Sequence, residues 1–158
     1  MTLTILHVED HKVVADAVRD ALEAEGWQVV MCADGAAALN KLAGVEPYDL
    51  LITDHELPRA TALEIVRYAR SLPHRRHIPI IMFTASNRRG EAQTAGVNAY
   101  LRKPEDLGKL IETVTELTGR GGSSRPWHAY RRARGRRCRG GRARGVRTYA
   151  RPRRFRSP

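Results

Sequence analysis

Short apolar runs alternate with amphipathic segments of helical period five times between residues 3 and 118, and this alternation restricts the chain to an α/β architecture with a parallel sheet. The runs are Leu3–Val8, Gln28–Cys32, Leu50–Thr53, Ile80–Thr84 and Ala99–Arg102. Ile80–Ile81–Met82–Phe83 is the most hydrophobic of them, which predicts a central strand covered on both faces. Helices are expected over Lys12–Glu25, Gly35–Leu42, Thr61–Ser71, Arg89–Ala95 and Glu105–Thr118. In the first, Val13, Val14, Ala17, Val18, Ala21 and Leu22 keep helical spacing, and Gly26 supplies the stop. The fourth has room for only about two turns. In the last, Leu107, Leu110, Ile111, Val114 and Leu117 make the apolar face, and Glu105 and Asp106 are expected at the positive end of the helix dipole.

Right-handed crossovers through these helices give a flavodoxin-like five-stranded parallel sheet, order 2-1-3-4-5, with helices on both faces. That order brings four strand ends to one crevice, and each ends on a group with chemistry. Glu9–Asp10 follow the first strand, Asp54 the third, Thr84 closes the fourth, and Lys103 follows the fifth. Converging carboxylates repel one another unless a cation intervenes, and Mg²⁺ suits hard oxygen donors. Lys103 offers a point charge and Thr84 a hydroxyl for a phosphate oxygen. Together these groups equip Asp54 as a nucleophile that takes up a phosphoryl group. Taken singly, the leading ones have blander explanations: an Asp opening a turn, a turn hydroxyl, a solvated lysine. Their joint arrival at strand ends outweighs those explanations.

Residues 1–119 resemble the receiver domains of bacterial two-component response regulators. The resemblance rests on Glu9–Asp10, Asp54–His55–Glu56–Leu57–Pro58, Thr84–Ala85 and the run from Ala95 through Lys103–Pro104. It implies that Asp54 is the phosphoacceptor. Asp10, Asp54 and the Glu56 carbonyl would be Mg²⁺ ligands, with Glu9 acting through water. Thr84 and Tyr100 would be a switch pair and Lys103 the phosphate-sensing cation. The implied donor is a histidine kinase or histidine phosphotransfer protein in a phosphorelay, and the output an unknown downstream protein. Such a domain is a phosphoacceptor, catalysing only its own phosphorylation and dephosphorylation. Glu56, two residues past the acceptor, is also placed to influence hydrolytic water. The chain departs from the family pattern at Ala62, where glycine is usual, and in a Thr84–Lys103 interval shorter by about one helical turn. His7, His11 and His55 are expected to be bystanders.

Charge divides the chain at the same place. Residues 1–119 carry 13 Lys and Arg against 17 acids, net −4, whereas residues 120–158 carry 15 arginines with neither lysine nor acid. Gly121–Gly122–Ser123–Ser124 reads as a linker, and Arg125–Pro158 lacks the hydrophobic periodicity of a packed fold. A receiver at 1–119 and a disordered Arg/Gly-rich tail at 120–158 are therefore expected. Trp127, Tyr130, Tyr149 and Phe155 among the arginines suit non-specific nucleic acid through phosphates and stacking. The same composition is what GC-rich DNA translated in an unselected frame yields. No DNA-reading module follows the receiver.

Two other function classes compete with this one. A constitutive nucleic-acid-binding protein, with the receiver as scaffold, would act through the tail. An independent phosphohydrolase of the Asp-nucleophile type needs a second aspartate where Glu56 stands. Cys32 and Cys138 give neither a disulfide framework nor a metal motif. With no leader-like or membrane-length segment, a cytoplasmic protein is expected.

Overall fold

The computed structural model describes residues 2–119, so the expectations for residues 120–158 lie outside the described residues. Strands β1 (Thr4–Val8), β2 (Gln28–Cys32), β3 (Leu50–Thr53), β4 (Ile80–Thr84) and β5 (Ala99–Arg102) alternate with α1 (Lys12–Ala24), α2 (Gly35–Ala43), α3 (Ala62–Ser71), α4 (Arg89–Ala95) and α5 (Leu110–Thr118). All strand pairs are parallel, in the order β2-β1-β3-β4-β5.

Strand alternation sorts the core into two layers, because successive side chains point to opposite faces. Leu6, Val8, Leu51, Ile80 and Met82 pack with Ala38 and Leu42 of α2, Ile65, Val66 and Ala69 of α3, and Ala92 of α4. Ile5, Leu50, Ile52, Ile81, Phe83 and Leu101 face Val18 and Leu22 of α1 and Leu110 and Val114 of α5. Every residue of β3 and β4 is buried, as the apolar runs predict. Since β1 leads into α1 on one face and β3 into α3 on the other, the segments that leave the two paired strands part at their C-terminal ends, and the crevice lies there.

Local chemistry sets the helix ends. Asp34 caps α2, its carboxylate accepting from Ala37 N at 2.8 Å. Thr61 is the cap of α3 and not its first residue; its hydroxyl accepts from Glu64 N while Glu64 accepts from Thr61 N. Gly35 must be glycine, because a Cβ there would collide with the Ala60 carbonyl oxygen of the loop that carries Asp54 toward α3. Ala62 enters the first turn of α3, and the positive φ in that loop falls instead on Arg59, at 70°.

A larger correction falls on the last helix. It does not start at Glu105: residues Leu107–Lys109 form a 3-10 turn, and α5 begins at Leu110. Glu105 and Asp106 thus stand outside the first α-turn, and Leu107 is partly exposed and absent from the apolar layer. The reason lies in Asp106, whose carboxylate accepts from Arg102 N at 2.9 Å and so folds back on β5 in place of the α5 amides.

Candidate functional site

Asp54 follows the buried β3 directly, and its backbone N–H donates to Val8 O at 3.0 Å, which seats it against the end of β1. Its Oδ1 accepts from His55 N at 2.5 Å and lies 3.4 Å from Glu56 N. The other oxygen, Oδ2, accepts from Lys103 Nζ at 2.6 Å. Both oxygens of the carboxylate are therefore engaged, and only the lysine would have to yield for Oδ2 to react.

Glu9 is tied to the neighbouring strand by Glu9 N donating to Cys32 O, and it is only 3% exposed. Its Oε1 accepts from His11 N, and its Oε2 pairs with Lys103. Burial raises the Glu9 carboxyl above the usual range, with the ammonium of Lys103 opposing that rise. Asp10 is exposed beside it, and carboxylate oxygens of Glu9, Asp10 and Asp54 lie within 4.8 Å of one another. This donor set, all hard oxygen, fits Mg²⁺. The Glu56 side chain is exposed and outside the cluster; it is the backbone of Glu56 that approaches Asp54.

Lys103 reaches the cluster because its own N–H donates to Thr84 O at 3.0 Å, continuing the β4–β5 ladder past Arg102. Its Nζ lies 5.5 Å from the centre of the Phe83 ring, so the ammonium bridges Glu9 and Asp54 above an aromatic floor. Thr84 is 1% exposed, and its hydroxyl accepts from Ser86 N at 3.1 Å. Tyr100 is equally buried, and its hydroxyl donates to the Ser86 carbonyl. Thr84 and Tyr100 thus hold the same short loop from opposite ends of residue 86.

Strand order alone places these residues in one crevice, but other participants are silent in the sequence. Phe83 reads there only as core, and Ser86 carries no signal at all. Arg89 stacks over Tyr100, with its guanidinium carbon 5.2 Å from the ring centre. His7, expected to be a bystander, sits buried beneath the cluster; burial, aided by Lys103, lowers its pKa to about 3, so the ring is neutral at ordinary pH. Strict alternation along β1 puts His7 on the same face as Ile5 and Glu9, which is the signal the sequence offers.

Comparison with known proteins agrees with this geometry. The family profile described as response regulator receiver domain matches residues 5–115. Polar-differentiation response regulator DivK of Brucella ovis is 32% identical over 122 residues, covering 75% of this chain and 98% of its own. Among solved structures, a putative response regulator from Chloroflexus aurantiacus matches with a TM-score of 0.70 at 30% identity, over 76% of this chain and all of its own. The receiver domain of a Pseudomonas aeruginosa sensor histidine kinase, described with a magnesium ion in its active site cleft, matches at 0.69 and 29%, with 76% and 100% covered.

Proposed function

The chain belongs to the response regulator receiver domain family, and from that premise we propose that Asp54 accepts a phosphoryl group from a phosphohistidine donor. The observation that carries this reading is the three-way contact of Lys103 with Glu9 and Asp54 at the ends of β1, β3 and β5. The donor is a histidine kinase or a histidine phosphotransfer protein acting in a phosphorelay. On this reading residues 1–119 are the receiver and residues 120–158 a separate Arg-rich segment.

In the transfer, Asp54 Oδ2 forms the new O–P bond as the donor's P–N bond breaks, and the electron pair leaves on the imidazole nitrogen. Asp10, Asp54 and the Glu56 carbonyl, with Glu9 behind them, would hold Mg²⁺, which when bound would supply positive charge to the transferring oxygens. Lys103 exchanges its bond to the carboxylate for one to a phosphoryl oxygen. Thr84 donates its hydroxyl to another, releasing the Ser86 amide that it now accepts from. Because Tyr100 holds the Ser86 carbonyl, the change at Thr84 passes to Tyr100 and thence to a downstream protein. Family membership makes this a signalling domain and not an enzyme in the ordinary sense.

The direct test is incubation with phosphoramidate and Mg²⁺, followed by intact mass. One phosphate, labile to alkali, is expected in the native chain and none in Asp54→Asn. Labelling that survives Asp54→Asn, or that ignores chelation of Mg²⁺, contradicts the assignment.

A protein donor must also find a surface beside Asp54. Val13 is 73% exposed, and with Val14, Ala17, Phe83 and Pro104 it lines an apolar hollow that ends at Lys103. Val13→Asp is expected to slow transfer from the protein donor at least tenfold more than it slows labelling by phosphoramidate. Equal effects on the two donors would remove this face from the proposed contact.

A further inference from the structure

We propose that Asp106 is the positioning residue of Lys103, holding the ammonium on the phosphoacceptor carboxylate through a closed backbone turn. The inference rests on the phosphoacceptor reading of Asp54 and adds to it a residue that never touches the phosphoryl group.

Lys103 stands between the last strand residue and a proline, its own amide paired to β4, just past Arg102, whose backbone faces the open side of an edge strand. An edge position leaves backbone groups without a strand partner, and a chain leaving such an edge has little to fix its course. Here the exit is tied twice between the same two residues. Asp106 N donates to Arg102 O at 2.8 Å, and Arg102 N donates to Asp106 Oδ2 at 2.9 Å. The remaining oxygen, Oδ1, accepts from Lys109 Nζ at 2.6 Å. Leu107 N donates to Pro104 O, and Lys109 N to Asp106 O, so the turn runs without a break into the helix behind it.

Lys103 is enclosed by this clasp, its amide fixed to Thr84 O on one side and the Arg102–Asp106 pair closing around the other. A side chain as long as lysine reaches two carboxylates at once only if its Cα is held in place. The carboxylate of Asp106 is itself held ionised, because the ammonium of Lys109, the Arg102 amide and the field of Arg89 outweigh its burial. Charge is not the part that acts on Lys103; the acceptor at the Arg102 amide is. That separates Asp106 from a residue that merely tunes the site electrostatically, and it sets the ranking of variants.

The experiment compares Asp106→Ala, Asp106→Asn and Asp106→Glu in the full chain, using the initial rate of labelling by phosphoramidate with saturating Mg²⁺ and the ¹⁵N resonance of the Lys103 amine. Asp106→Ala is expected to slow labelling about tenfold and to shift the amine resonance toward that of a solvent-exposed lysine. Asp106→Asn, which keeps an acceptor for the Arg102 amide, should stay within about threefold of the native rate. In a Lys103→Ala background, Asp106→Ala should add no further loss, since a residue acting only through Lys103 has nothing left to act on. Should Asp106→Ala not fold, Asp106→Glu carries the test with an intermediate loss, its carboxylate displaced by one methylene. A native rate and unmoved amine resonance in Asp106→Ala, or losses that multiply with Lys103→Ala, overturn the inference. Labelling that persists in Asp54→Asn defeats the phosphoacceptor reading instead, while the amine resonance still reports on Asp106.

Discussion

Replacing Lys103 with alanine is expected to destabilise the metal-free protein by about 3 kcal/mol and to make its stability depend steeply on Mg²⁺. Lys103 Nζ is the cation shared by Glu9, whose side chain is 1% exposed, and by Asp54, at 14%. Without it, two carboxylates face each other in a buried crevice with no opposing charge. Breaking a buried pair from one side costs more than the pair contributes, because the remaining charge stays desolvated. A dication offsets that cost where a monocation did before. The urea midpoint of Lys103→Ala should therefore fall well below that of the native chain in chelator, with an unchanged slope, and recover most of the difference in excess Mg²⁺. By linkage, the variant should bind Mg²⁺ at least tenfold more tightly than the native protein does. On the proposed phosphoacceptor reading, labelling of Asp54 should nonetheless fall sharply, since the metal cannot also occupy the position from which the ammonium would meet the phosphoryl group. A variant as stable as the native chain in chelator, or one indifferent to Mg²⁺, would show that Lys103 does not balance this cluster.

The site is legible in the sequence because each of its groups directly follows an apolar run. Glu9–Asp10, Asp54 and Lys103 need only the strand order to become neighbours, and that order follows from crossover handedness and the hydrophobicity of Ile80–Phe83. The register then fixes the contacts: Val8 opposite Thr53 brings Glu9 beside Asp54, and Thr84 opposite Arg102 brings Lys103 to the same level.

Other features are hidden for physical reasons. Acids before an apolar stripe ordinarily mark a helix start, so Glu105 and Asp106 read as the first turn of α5. The competing demand, an unpaired amide at the edge of β5, has no sequence signature. The same blindness covers Arg70 and Arg75. An arginine at the end of an amphipathic helix, or in the turn after one, reads as solvated, yet Arg75, in the turn between α3 and β4, is 3% exposed, donates to the carbonyls of Leu42, Gly44 and Glu46, and stacks 4.8 Å from the Tyr48 ring centre. Its partners are backbone carbonyls at the end of α2, which any sequence would supply.

Arg70 is the position where that hidden chemistry should have the largest effect on folding. Its guanidinium donates to Ile78 O at 2.8 Å, to Arg76 O at 3.2 Å, to Gly96 O through both Nε and Nη2, and to Asn98 Oδ1 at 2.8 Å. Asn98 Oδ1 also accepts from Ile80 N, so one side chain joins the end of α3, the start of β4, the cap of α4 and the entry to β5. Gly96 takes φ 99° at that cap, and a Cβ there would stand 3.3 Å from Arg70 Nε. Arg70→Ala removes a charged donor from four acceptors in a half-buried setting, for an expected loss of about 3 kcal/mol in urea or thermal unfolding. Arg70→Lys keeps the charge but not the planar fork, and a single ammonium cannot span Gly96 and Ile78 together. Its expected loss is therefore about 2 kcal/mol and not near zero. The damage should also reach Tyr100, because β5 carries it two residues past Asn98. Amide exchange in both variants should accelerate first across residues 89–100, with β1 and β3 keeping their protection. Equal stability of native and Arg70→Lys chains would mean that charge alone, and not the fork, holds this corner.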